Sequence, residues 1–196
     1  MESLIQEAVN AGAIKNKMFL SCTGRNIAFR KKYFNMVDGY LGNEHILSGD
    51  DDLLLQKFAN KTNSQIEYSI DSDSLVDSPA PDNFKNFLKQ RLRFASKGAD
   101  YYKIGTTLEL RIILILLLLS NGVFIWGIFN LFILGDLFYV IPMGCKALSD
   151  FFLSSVFINK LNREWSFISY CILTILHPFY ILIIGISGPL IKVSWK

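Results

Sequence analysis

Two stretches of this chain carry no formal charge for longer than a bilayer is thick. Ile112–Leu134 runs 23 residues without Asp, Glu, Lys or Arg, and Trp165–Ile191 runs 27. About 20 helical residues cover the ~30 Å of bilayer hydrocarbon, so each is long enough to span it. Lipid offers the backbone no water, so such a segment satisfies its own N–H and C=O groups by becoming a helix. Between them, Leu137–Asn159 is apolar but holds Lys146 and Asp150 four residues apart. It reads as a third span with an internal ion pair, or as short helices lying at the interface. Three spans are expected. His177–Pro178 predicts a kink in the last of them, with His177 facing the bundle.

Charge divides the rest. Residues 1–107 hold 27 of the 37 Asp, Glu, Lys and Arg residues, and the remainder holds 10. The chain therefore parts into a soluble portion (1–82), a basic segment (83–107) and a membrane region (108–196). From Lys85 to Lys103 there are six basic residues and one acid, Asp100. Beside a span, with Lys160 and Arg163 in a later loop, that surplus marks the cytoplasmic side. It also places the basic patch against lipid rather than nucleic acid. The three cysteines, Cys22, Cys145 and Cys171, have no metal-ligand spacing and are expected to be free thiols. With only His45 and His177, a histidine-rich metal site is not expected.

Three adjacent carboxylates, Asp50, Asp51 and Asp52, open the apolar run Leu53–Leu55. Acids favour the first turn of a helix, so one reading is a helix start with Ser48 or Asp50 as N-cap. One cap needs one carboxylate, however, and three like charges repel. The other reading keeps a carboxylate in a cleft as a base or ligand. Lys17–Cys22 reads as a short buried strand, and the alternation of Ile66, Tyr68 and Ile70 within Gln65–Ile70 as a second. Asp71–Asp82 is a loop. Asn83–Lys97 is a basic amphipathic helix capped by Asp82. Phe84, Phe87, Leu88, Arg91 and Ala95 lie on one stripe, and Gln90, Arg93 and Phe94 share a face.

Four of these pieces occur in a familiar order: Gly24-Arg25-Asn26-Ile27-Ala28-Phe29-Arg30, Val37-Asp38-Gly39-Tyr40, Gly49-Asp50-Asp51-Asp52-Leu53 and Gln90-Arg91-Leu92-Arg93-Phe94. Together they resemble the C-terminal half of a membrane-bound family-two glycosyltransferase, of the GT-A-type group that includes cellulose and hyaluronan synthases. The resemblance covers Phe19–Phe94. It implies an α/β fold plus membrane helices: a partial GT-A-type domain lacking its N-terminal half, followed by a transmembrane bundle. It implies an inverting enzyme, with a nucleotide-sugar donor, a glycan or lipid-linked acceptor, and a catalytic part on the cytoplasmic side of the cell membrane. Asp50 matches the base of the acidic motif, with Asp51 and Asp52 in support. Gln90, Arg93 and Phe94 match positions at the donor diphosphate and acceptor, and Arg25 and Asn26 lie near the donor sugar. A divalent metal, Mg or Mn, is implied for the full-length enzyme, with its ligands mainly outside this chain. Gly49 stands where the motif has Glu, and Phe94 where it has Trp. These departures favour single-sugar transfer over processive synthesis. The soluble portion is about half of what such a domain needs, so the chain is expected to be a fragment and inactive alone. The alternative is a non-catalytic membrane protein whose acidic loop and basic helix dock a partner.

Overall fold

The computed structural model describes residues 2–42, 46, 48–102 and 105–191. Among them every regular element is a helix: α1 Glu2–Lys15, α2 Lys31–Met36, α3 Asp50–Lys61, α4 Phe84–Ser96, α5 Leu108–Phe129, α6 Val140–Lys160 and α7 Phe167–Ser187, with short 3-10 and π turns between them. His45, one of the two histidines, lies outside the described residues.

α3 is the centre of the soluble portion. Asp52, Leu53, Leu54, Leu55, Gln56 and Phe58 are all buried, so the helix is covered on nearly every side. Leu53 packs with Ala13, Leu20, Ile46, Tyr101 and Leu110, while Leu54 and Phe58 pack with Val37. Each such side chain contributes about 1.5–3 kcal/mol on burial. Because Leu110 belongs to α5, one apolar cluster joins the soluble portion to the membrane region.

The α/β expectation is overturned: among the described residues there is no strand. The reason lies in where the backbone groups go. Lys17 turns out of α1 with φ +59°, and α3 side chains satisfy the segment that follows. The Gln56 amide donates to the Phe19 carbonyl, and Asp52 accepts from the Cys22 N–H at 2.9 Å and the Ser21 hydroxyl at 2.6 Å. Gln65–Tyr68 keeps its alternation of exposed and half-buried residues, though Ile70 is exposed, and no strand pairs with it among the described residues. Its inner face is held by side chains, with the Tyr68 hydroxyl donating to Glu7 at 2.7 Å. The partial GT-A-type sheet is therefore replaced by helices and extended segments clasped to α1 and α3.

Three segments are long and apolar enough to cross a membrane: Leu108–Leu134, Leu137–Lys160 and Phe167–Leu190. Three such helices mark a multi-pass membrane protein. Lys146 and Asp150 pair along α6 at 2.7 Å. α6 packs its other end, Phe157 and Leu161, against Ala8 of α1. α7 runs through Pro178 without a break and ends with Gly188 against Ala95 of α4.

Candidate functional site

The acidic turn is built from both sides. Gly49, not Ser48 or Asp50, precedes the helix as its N-cap, with φ +91° and no side-chain cap. That backbone conformation suits glycine. The stem of Lys97 also lies over it: a Cβ at position 49 would meet Lys97 Cδ at 2.6 Å. A side chain here, such as the glutamate of the acidic motif, would displace the end of Lys97 and strain a left-handed backbone. Gly49→Ala should cost about 1–2 kcal/mol from the left-handed backbone alone. A thermal melt followed by circular dichroism checks it, with further loss where Lys97 is pushed from its partner.

The three carboxylates have three environments. Asp52 is 3% exposed and saturated. One oxygen accepts from Ser21 and the Cys22 N–H; the other from Lys97 and, at 3.1 Å, the Tyr101 hydroxyl. Asp51 is half-buried and holds the Gly24 loop, accepting from the Gly24 N–H at 2.6 Å and the Asp52 N–H at 3.0 Å. Asp50 is exposed at the first helical position. Of the three it is the one with its oxygens open to a ligand. Burial, reinforced by Asp52, pushes the Cys22 thiol and the Tyr101 phenol well above their ordinary ranges. Cys22 is therefore a neutral thiol and a poor nucleophile.

A cavity of about 1140 Å³ runs between α1, the Gly24 loop, the extended segments and α4. It gathers Arg25, Asn26, Gln90 and Phe94 from two distant parts of the sequence. Asn26 is fixed by its amide, which donates to the Ser74 carbonyl at 2.7 Å. Asp50, Asp51, Asp52 and Arg93 do not line it. Arg93 instead lies with its guanidinium 5.3 Å from the Phe94 ring centroid. The cation of the same motif that does reach the cavity is Arg91. Its signal was visible: a cation on the apolar stripe of an amphipathic helix. α4 is capped by Asn83, which accepts from the Asn86 N–H at 2.9 Å, rather than by Asp82.

Among the described residues no three His, Cys, Asp or Glu side chains gather as a divalent cation needs, so the implied metal finds no ligand set in them. The three cysteines are free. No protein-family model, curated protein or solved structure matches this chain.

Proposed function

We propose that the protein acts in a membrane glycosyltransferase. It moves a sugar, with inversion, from a nucleotide-sugar donor to a hydroxyl of a cell-surface glycan or lipid-linked acceptor. The observation that carries this is the convergence of Arg25, Asn26, Gln90 and Phe94 on one cavity beside an acidic helix start. These are the positions that the motif resemblance assigns to substrate. The soluble portion lies on the cytoplasmic side, supported by the basic residues of α4 and by Lys160 and Arg163 beside the spans.

In such a displacement the acceptor oxygen bonds to the anomeric carbon as the bond to the diphosphate breaks, and the hydroxyl proton goes to a base. Asp50 is the base, because Asp52 has four donors on its carboxylate and Asp51 is spent on the backbone of the Gly24 loop. Gln90 and Phe94 position the acceptor and Arg25 and Asn26 the donor sugar from within the cavity; Asp50 and Arg93 take the base and diphosphate roles from the motif resemblance alone, since neither lines that cavity.

The test uses membranes from cells that make the protein in its natural genomic setting, supplied with a panel of radiolabelled nucleotide sugars. One donor should label membrane-associated glycan, and Gln90→Ala should reduce that label. If deleting the gene leaves incorporation from every donor unchanged, the proposal fails.

A further inference from the structure

We propose that the α4 end of the cavity binds a phosphate-headed membrane lipid, with the phosphate on Arg91 and the chain along Phe87 and Phe84. These residues, with Phe94, form one stripe of α4. The Arg91 guanidinium lies 5.2 Å from the Phe87 ring centroid and 5.8 Å from that of Phe94, which fixes its position between two aromatic rings. Its side chain is 12% exposed and one nitrogen pairs with Glu2 at 2.8 Å. Its Nε–H is buried with no partner. Buried donors without acceptors are rare in folded proteins, and a guanidinium fork matches two phosphate oxygens. Arg91 and both rings line the cavity, so an anion has an approach.

The apolar half of the ligand follows from the same stripe. Phe84 is 72% exposed and stacks on Phe87 with centroids 6.2 Å apart. Phe87 in turn lies 5.9 Å from Tyr180 of α7, a helix that exposes Ile172, Ile175, Leu176 and Ile183. Aromatic surface thus runs from the cation to a lipid-facing helix. A free phosphate would use only the Arg91 end; a lipid phosphate uses both. As an acceptor site this rests on the transferase reading. As a binding site it stands apart, and binding is what the test reads.

The full chain is reconstituted in phosphatidylcholine bilayers with a trace of photoreactive, radiolabelled phosphatidic acid. That probe should label the chain about tenfold more than a matching phosphatidylcholine probe. Arg91→Gln should lower the labelling about tenfold, to the phosphatidylcholine level, as loss of a hydrogen bond to a charged group does. Glu2→Gln should raise it, because Glu2 competes for the same fork. Equal labelling by the two probes overturns the proposal, as does unchanged labelling of a folded Arg91→Gln chain. Displacement by inorganic phosphate as readily as by short-chain phosphatidic acid assigns the site to free anions and overturns the lipid. Should Arg91→Gln fail to fold, Glu2→Gln decides alone: no rise overturns the site.

Discussion

Asp50→Asn should fold and insert as the parent does, yet lose about 10²–10⁴-fold in transfer rate, the usual share of a general base. The substitution keeps size and hydrogen-bonding capacity and removes the proton acceptor. Gly49, not Asp50, caps α3, and the Asp50 side chain is exposed, so little stability is at stake. Asp51→Asn should cost less transfer, since Asn still offers an oxygen to the Gly24 N–H. Transfer and donor affinity are measured in the same membranes. If Asp50→Asn transfers at the parental rate, or Asp51→Asn is the inactive variant, the base is misassigned.

The second large effect is on stability. Lys97 is the cation that faces buried Asp52, with side-chain exposures of 13% and 4%. Lys97→Met leaves a carboxylate in the core with only neutral donors, and such losses cost about 3–5 kcal/mol. Adding Asp52→Asn should restore much of it, because removing both charges of a buried pair is far milder than removing one. The comparison is made by thermal or denaturant unfolding of the two singles and the double. A Lys97→Met chain within ~1 kcal/mol of the parent would show that the pair holds nothing.

The spans were legible because lipid leaves a charge-free run no other structure. Leu108–Leu134 and Phe167–Leu190 overlie the two runs read from the sequence. The strands were misread because alternation reports which side chains are half-buried, not what the backbone pairs with. Tyr68 faces inward to reach Glu7 and to lie 6.4 Å from the Phe157 ring, with no strand beside it. The caps of α3 and α4 were legible to within a residue, with Gly49 for Ser48 or Asp50 and Asn83 for Asp82. The cluster around Asp52 was not, because Lys97 and Tyr101 lie 45 and 49 residues away and nothing local predicts that meeting. Arg91 was seen on its stripe, but its lack of a partner at Nε belongs to the packed structure alone.

Gln56 has one more consequence. Its amide donates to the Phe19 carbonyl, and its carbonyl accepts at 2.8 Å from the N–H of Thr107, the residue that caps α5. With Leu53 against Leu110, this makes α3 and the foot of the first span one lever. Spans answer hydrophobic mismatch by tilting. If α5 tilts in a thicker or thinner bilayer, α3 should move with it. Spin labels at Asn60 and Glu109 should keep their separation in short- and long-chain lipids while α5 changes tilt; a separation that varies with chain length would show the lever to be loose.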